Sequence, residues 1–259
     1  MQEEVYDRDA KQEPVIREEK KKHGRKKWIL LSLLVVLLVM TGAVLIFLLT
    51  YYHADETALA ALKSDAMVRV TETDYGWFFD GPSETDALVF YPGARVEETA
   101  YAPMLHRLAE QGMDVCLVKM PFRLAILGSG RAEDVMKEYN YRSWYIGGHS
   151  MGGAFAARYA SKHAEDFRGV ILFAAYTTDS IGKELPVLMI CGSEDRVVRK
   201  EKLEEGRKLA ENCAELVIEG GNHAQFGNYG IQSGDGEATI SADEQQRQTV
   251  DFIAAVLLH

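Results

Sequence analysis

Two hydrophobic patterns alternate along the chain from residue 87 onwards. Short apolar runs rich in Val, Ile and Leu lie at Ala87–Tyr91, Asp114–Met120, Trp144–Gly147, Gly169–Ala174, Val187–Cys191 and Glu215–Ile218. Amphipathic stretches with helical spacing lie at 97–111, 131–139, 151–163, 199–212 and 241–258. Apolar runs without polar alternation are typical of strands covered on both faces, and a regular strand–helix alternation indicates a parallel sheet with right-handed crossovers. The pattern therefore predicts an α/β fold, with a mostly parallel sheet and helices on both faces.

The residues before this region have a different pattern. The segments "MVRVTET" and "YGWFFDG" alternate in the manner of half-buried strands, and few residues separate them, so they predict an antiparallel hairpin. Residues 54–66 have a short helical pattern, and we assign 53–67 to a linker. The main domain is therefore expected at residues 68–259.

The N-terminal part of the chain predicts a membrane anchor. Ile29–Leu49 is an uncharged apolar segment of 21 residues, long enough as a helix to cross a hydrocarbon core of about 30 Å. The basic cluster "KKKHGRKK" precedes it, and such clusters stay on the cytoplasmic side. We expect a cytoplasmic tail at 1–27, a transmembrane signal anchor at 28–52, and the rest of this single-pass protein outside the cell. A cleaved signal peptide is the alternative, but the apolar segment is too long for one, and "LLTYYHADE" offers no clear A-x-A cleavage site.

Composition and charge exclude several classes of function. The chain has 259 residues, of which 47% are hydrophobic and 26% charged, as expected for a packed globular protein. A formal net charge of −10 gives little support to nucleic-acid binding. The three cysteines are far apart and form no C-x-x-C pair, which argues against a disulfide framework and against a zinc site. We expect neither a metal nor an organic cofactor, and the oligomeric state is left open.

Three polar residues follow three different apolar runs. In parallel α/β sheets, ligands bind beyond the carboxyl ends of the strands, so these positions are candidates for a site. Ser150 lies in "GHSMGG", Asp195 in "GSEDRVV" and His223 in "EGGNHAQFG". "GHSMG" matches G-x-S-x-G on a strand-to-helix turn, where Gly148 and Gly152 let the strand and helix approach closely. The order Ser, Asp, His at successive strand ends predicts a nucleophile elbow and a catalytic triad.

The residue types fit nucleophilic catalysis. A serine hydroxyl is a weak nucleophile at neutral pH and needs a base, and that base needs a group that fixes its tautomer. His223 would take the proton from Ser150, and Asp195 would orient His223. The backbone N–H groups of Met151 and Ala94 would bind the oxyanion, since one follows the nucleophile and the other lies in the loop after the "LVFYPGA" strand.

Four segments of the sequence resemble one family. "LVFYPGARVEETAYAPMLHRLAEQGMDVCLVKMPF", "YIGGHSMGGAFAARYA", "VLMICGSEDRVV" and "EGGNHAQFGNYGIQSGDGEATIS" are similar to the compact bacterial α/β-hydrolases, some of which are membrane-anchored. The resemblance covers roughly residues 68–258. It implies an α/β-hydrolase core of the eight-stranded type and the triad Ser150, Asp195 and His223. The related dienelactone hydrolases have a Cys nucleophile, so their activity does not transfer to this chain with its Ser150.

Several alternatives stay open at this stage. Glu194 or Asp179 compete with Asp195 as the acid, and His149 is expected to pack or hydrogen-bond locally. Few residues separate the "GVILFAA" and "PVLMICG" strands, so no large cap domain is expected and the pocket should be open. We expect a serine esterase acting on a small-molecule or surface-presented acyl substrate. The alternatives are a peptidase or amidase with the same triad, a cell-wall or lipid-modifying esterase, and a non-catalytic binding protein of this fold.

Overall fold

The computed structural model describes residues 13–82 and 84–258, with side chains from residue 26 onwards. The first twelve residues of the expected cytoplasmic tail lie outside the described residues. The chain divides into two compact units, Met1–Thr50 and Tyr51–His259.

The described part of the first unit is one long helix, α1 (Glu13–Leu49). Its segment Lys26–Leu49 has a mean hydropathy of 3.0 and is long and apolar enough to cross a membrane, by length and composition. The expected N-terminal apolar helix is therefore present. It extends further towards the N-terminus than the apolar segment, because Glu, Lys and Arg in residues 13–27 are good helix formers.

The second unit is built on one sheet of eight strands. The strands are β1 (Arg69–Thr73), β2 (Gly76–Asp80), β3 (Asp86–Tyr91), β4 (Asp114–Val118), β5 (Ser143–His149), β6 (Gly169–Phe173), β7 (Val187–Gly192) and β8 (Cys213–Ile218). Their spatial order is β1-β2-β4-β3-β5-β6-β7-β8. The predicted hairpin is confirmed as β1 and β2, with Arg69 opposite Asp80, and β2 runs antiparallel to β4. All the remaining pairs are parallel.

Helices cover both faces of this sheet, as the sequence pattern predicts. The helices of this unit are α2 (Glu56–Ala60), α3 (Ala102–Glu110), α4 (Arg131–Glu138), α5 (Met151–Ala160), α6 (Lys200–Leu209) and α7 (Ala242–Leu257). One hydrophobic core includes α3 and α7, and the other includes α4 and α5. Strand β3 explains the uninterrupted apolar runs, because Leu88 and Phe90 face the first core while Val89 and Tyr91 face the second.

The segment assigned to a linker, 53–67, packs on the second unit. It contains α2, whose Ala58 is fully buried. Ala54, Ala61 and Leu62 pack against the first core. Before this segment, α1 ends at Leu49 and the second compact unit begins at Tyr51.

The connection between β6 and β7 is short and contains no helix between residues 174 and 186. This matches the expected lack of a cap at that point of the fold. The carboxyl ends of β3, β5, β7 and β8 meet at one edge of the sheet, and the loops that follow them build the site.

Candidate active site

Ser150 lies in the sharp turn between β5 and α5. Its backbone has φ 54° and ψ −123°, a conformation that non-glycine residues rarely adopt and that serves here to present the side chain above the sheet. A Cβ added to Gly148 would lie 2.3 Å from the carbonyl oxygen of Tyr91, and one added to Gly152 would lie 2.3 Å from that of Pro92. The two glycines therefore allow the close approach of β3 to the turn, as their positions in the sequence predict.

Asp195 and His223 form a buried pair at the ends of β7 and β8. The Nδ1–H of His223 donates to Oδ2 of Asp195 at 2.8 Å, and the two side chains are almost completely buried. The other carboxylate oxygen of Asp195 accepts from the amides of Val197 and Val198 at 2.8 and 2.9 Å. Both carboxylate oxygens are thus fixed, and Asp195 holds His223 in the tautomer whose Nε2 carries the lone pair.

The Nε2 atom of His223 is buried and has no hydrogen-bond partner among the described residues. It is therefore free to accept a proton. A hydrogen bond to Ser150 is not formed in the structure, and such contacts are often completed only when substrate binds. Asp195 is the acidic candidate that contacts His223. The side chain of Glu194 accepts from Ser193, and that of Asp179 accepts from Thr178.

The loop that carries His223 is held by residues that the sequence pattern did not single out. Asp235 accepts from the backbone amides of His223 and Ala224, at 3.3 and 2.8 Å. Gln245 on α7 pairs with the backbone of Asn222 through both ends of its side-chain amide. The loop "QFGNYGIQSGDG" therefore folds back on the histidine that precedes it.

A chain of buried hydrogen bonds links the loop after β3 to the backbone of His223. The amide of Gly93 donates to the hydroxyl of Tyr101 at 3.0 Å, and this hydroxyl donates to Nδ1 of His149 at 2.9 Å. Nε2–H of His149 then donates to the carbonyl of His223 at 3.1 Å. Burial and the facing His223 ring lower the pKa of His149 well below its usual value, so this ring is neutral. His149 was expected to pack or hydrogen-bond locally; its ring packs against Tyr101 and Phe226, and its hydrogen-bond partners are distant in the sequence.

The two amides expected to bind an oxyanion lie at the start of α5 and in the loop after β3. Met151 begins α5, so its N–H lies at the positive end of the helix. Ala94 lies in a turn closed by a hydrogen bond from the amide of Val96 to the carbonyl of Gly93, with Arg95 at φ 57°. Within the described residues, neither the Ala94 amide nor the Met151 amide donates to another group. Both remain available for a ligand.

A cavity of about 310 Å³ opens beside Ser150. Its walls come from the start of α5, the end of β6 and the loop after β7, and the lining residues include Met151, Ala175, Tyr176 and Val198. Arg199 and Lys202 are its charged lining residues, and Lys202 is paired with Glu205. A cavity of this size accepts a short acyl or alcohol group.

One group of side chains elsewhere in the described chain has the composition of a metal site. The ligand atoms of Asp65, His106 and Glu110 all lie within 4.8 Å of one another. Nε2 of His106 already contacts Asp65 at 3.0 Å, and Nδ1 contacts the carbonyl of Ala61. Both ring nitrogens of His106 therefore already have partners, and we assign this group no part in the chemistry at Ser150.

Comparisons with known proteins agree with this geometry. The model of the "Alpha/beta hydrolase family" matches residues 87–247, which is more than half of the chain. No curated protein matches the sequence.

Several solved structures share the fold at low sequence identity. A predicted CIB-like hydrolase from Thermoplasma acidophilum has a TM-score of 0.54 and 16% identity, over 73% of this chain and 100% of that one. Carboxyl esterase 2 from the fungus Tuber melanosporum has a TM-score of 0.55 and 10% identity, over 79% of this chain and 89% of that one. A bacterial membrane phospholipase A has a TM-score of 0.53 and 14% identity, over 89% of this chain and 99% of that one. Because the family model spans residues from β3 to α7, and so includes the elbow and the Asp195–His223 pair, this chain belongs to the alpha/beta hydrolase family.

Proposed function

We propose that this protein is a serine hydrolase that cleaves a carboxylic ester through an acyl-enzyme, with Ser150, His223 and Asp195 as its triad. The observation that carries the proposal is the buried Asp195–His223 pair with a free Nε2, in a fold that presents Ser150 on a strained elbow. His149 supports the assignment of Ser150 and His223 to one site, since it adjoins Ser150 in the chain and hydrogen-bonds to the backbone of His223.

The proposed reaction has two steps. His223 Nε2 takes the proton from the Ser150 hydroxyl as its oxygen attacks the ester carbonyl, and the negative charge that develops on the carbonyl oxygen is bound by the amides of Ala94 and Met151. The imidazolium then protonates the leaving alcohol. In the second step, water loses its proton to His223 and attacks the acyl group, and Ser150 is released with its proton restored. Each oxyanion donor is expected to contribute roughly 3–4 kcal/mol to transition-state binding.

The proposed substrates are esters of short acyl chains or acyl groups presented at a surface. The cavity of about 310 Å³ and the short β6–β7 connection support this choice, since nothing in residues 174–186 forms a cap over Ser150. A carboxyl esterase and a membrane phospholipase A share the fold, so lipid esters belong among the substrates to test.

We further propose that α1 is an uncleaved membrane anchor with the catalytic unit outside the cell. The apolar segment Ile29–Leu49 and the basic cluster before it support this topology.

The full chain in detergent micelles provides the test. We expect it to hydrolyse p-nitrophenyl acetate and butyrate faster than the dodecanoate, and Ser150→Ala to lower kcat by at least about a thousandfold. Ser161→Ala is the matched control, because this residue directly follows α5 and, among the described residues, its hydroxyl bonds only to the carbonyl of Arg158. A folded wild-type chain that hydrolyses none of these esters, nor a diacyl phospholipid, would overturn the proposal.

A further inference from the structure

The segment that follows the apolar helix contacts two loops of the site. Residues 51–55, which we call the strap, connect α1 to α2 in sequence. The loops are residues 94–97 after β3, which begin with the proposed oxyanion donor Ala94, and residues 228–233, which follow His223.

The strap pairs with the first loop as a short strand. The amide of Tyr52 donates to the carbonyl of Arg95 at 2.7 Å, and the amide of Glu97 donates to the carbonyl of Tyr52 at 2.9 Å. These bonds form a parallel bridge between Tyr52 and Val96. The Glu97 side chain also accepts from the amide of Ala54 at 3.2 Å. The strap therefore binds the residues directly after Ala94 through backbone hydrogen bonds and through the side chain of Glu97.

The same few residues hold the second loop. The amide of Asp55 donates to the carbonyl of Asn228 at 2.9 Å, and the amide of Ser233 donates to the hydroxyl of Tyr52 at 3.1 Å. The Tyr52 ring packs on Tyr229 with centroids 5.5 Å apart. Tyr229 is buried and adjoins Tyr101 of the hydrogen-bond chain described above.

Tyr51, the first residue of the strap, contacts a third segment, the turn that contains Arg123. The guanidinium of Arg123 lies over the ring of Tyr51, 3.4 Å from its centroid, which is a cation–π contact. The carbonyl of Arg123 accepts from the amide of Arg95 at 3.0 Å. Arg123 has φ 58°, so the strap and the Arg95 amide stabilise a backbone conformation that arginine rarely adopts.

We infer that Tyr52 and the rest of the strap are positioning residues for catalysis. They hold the loop at 94–97, which contains the proposed oxyanion donor Ala94, in a fixed position relative to the loop that follows His223. This inference rests on the proposed function. Preorganised donors are effective only when they are held within about 0.5 Å of their productive position. The loop with Ala94 comes from β3 and the other loop comes from β8, so a segment that bonds to both fixes their relative position. The chain leaving the apolar helix is thus part of the catalytic apparatus rather than a spacer.

The test compares three variants of the full chain in detergent micelles. Tyr52→Ala removes the ring and hydroxyl, and Tyr52→Phe removes only the bond from Ser233. Tyr159→Ala is the matched control, a half-buried tyrosine on α5 that packs on His163 and Phe167. With p-nitrophenyl acetate we expect Tyr52→Ala to lower kcat about 10- to 100-fold with KM changed less than threefold. Tyr52→Phe should recover most of the loss, and Tyr159→Ala should stay within twofold of wild type at a comparable melting midpoint.

A second readout needs no turnover. Hydrogen–deuterium exchange of residues 94–97 and 228–233 should rise together in Tyr52→Ala and stay unchanged in Tyr159→Ala. If exchange in the two loops and kcat both match those of the Tyr159 control, the strap only attaches the chain and the inference is wrong. If wild type has no esterase activity, the proposed function fails, and unchanged exchange in Tyr52→Ala would separately overturn the positioning role.

Discussion

At the scale of single residues, the site depends on which nitrogen of each histidine carries a proton. His223 gives Nδ1–H to Asp195 and keeps Nε2 free, whereas His149 gives Nε2–H to the His223 carbonyl and accepts at Nδ1. These assignments follow from the partners, because a carbonyl accepts and the Tyr101 hydroxyl already accepts from Gly93. Adjacent histidine rings therefore have opposite tautomers, and the buried neutral ring of His149 connects the loop of Gly93 to the backbone of His223.

Replacing Tyr101 by Phe tests this chain of bonds. The substitution retains the ring but leaves the Gly93 amide and His149 Nδ1 without partners in a buried site, a loss worth about 1–3 kcal/mol. We expect kcat for p-nitrophenyl acetate to fall about tenfold or more, with a smaller change in KM. Tyr91→Phe is the control, since the Tyr91 hydroxyl also makes one donated and one accepted bond, to Ser129 and from Ala132. Equal loss of kcat in both variants would contradict the role given to Tyr101.

The same residues show what a sequence can reveal about a site. Ser150, Asp195 and His223 were predictable as candidates because each lies in the turn or loop after a parallel strand, and such strand ends meet at one edge of the sheet. Tyr101 and Asp235 were not, because their roles depend on contacts with Gly93, His149 and His223 that come from the folding of loops. Tyr101 has the sequence signal of a core residue of a helical stretch, and only the hydrogen bonds of its hydroxyl distinguish it.

At the scale of secondary-structure elements, the predicted strands agree closely with the observed strands, whereas the predicted helix ends do not agree with the observed ones. The predicted helix at 97–111 is a 3₁₀ turn at Glu98–Tyr101 followed by α3. Pro103 in the first turn of α3 favours a start there. Strands are recognisable because burial on both faces requires continuous apolar runs, whereas the ends of helices depend on caps and on neighbouring loops.

Asp114 connects three elements and gives the fold a pH dependence. Its carboxylate accepts from the amide of Gly81 after β2 and from the hydroxyl of Tyr141 before β5. Burial raises the pKa of Asp114 to about 6, against 3.8 for an ordinary aspartate. The folded chain therefore binds this proton more tightly than the unfolded chain, and its stability should fall as pH rises from about 4 through 6.

Asp114→Asn should remove the part of the pH dependence of stability that Asp114 causes. The amide can keep the bond from Gly81 and carries no charge to bury, so the melting midpoint of the variant relative to wild type should rise between pH 4.5 and pH 7.5. The change corresponds to about 1–2 kcal/mol after allowance for solvent screening. Thermal melts of both full chains at the two pH values measure it, and other titrating groups cancel in the difference. A pH-independent difference would show that Asp114 is ionised in the folded chain over this whole range.

At the scale of the whole molecule, an apolar helix and a unit of the alpha/beta hydrolase family follow one another in the sequence with almost no intervening chain. α1 ends at Leu49 and Tyr51 already belongs to the hydrolase unit. The linker predicted at 53–67 has the polar, helical composition of a connecting segment, and its attachment to the core became visible only through contacts with distant loops. If α1 is the proposed anchor, only Thr50 separates the end of that helix from the hydrolase unit in the sequence.

The proposed topology is testable in intact cells. A protease added outside should cleave the C-terminal unit of the anchored chain, because the basic cluster before the apolar part of α1 is expected to keep the N-terminus inside. A tag at each end of the chain, followed by immunoblotting, measures which end is digested, and lysed cells provide the control for accessibility. Protection of the C-terminal tag until lysis would show that the orientation is opposite to the proposed one.

The most direct measurement of the central claim is the mass of the covalent adduct. The full chain would react with a fluorophosphonate, and peptide mass spectrometry would locate the modified residue in wild type, Ser150→Ala and Ser161→Ala. We predict one phosphonylated side chain, Ser150, in wild type and in Ser161→Ala, and no adduct in Ser150→Ala. A folded wild-type chain without an adduct, or with the adduct on another residue, would contradict the assignment of Ser150 as the nucleophile.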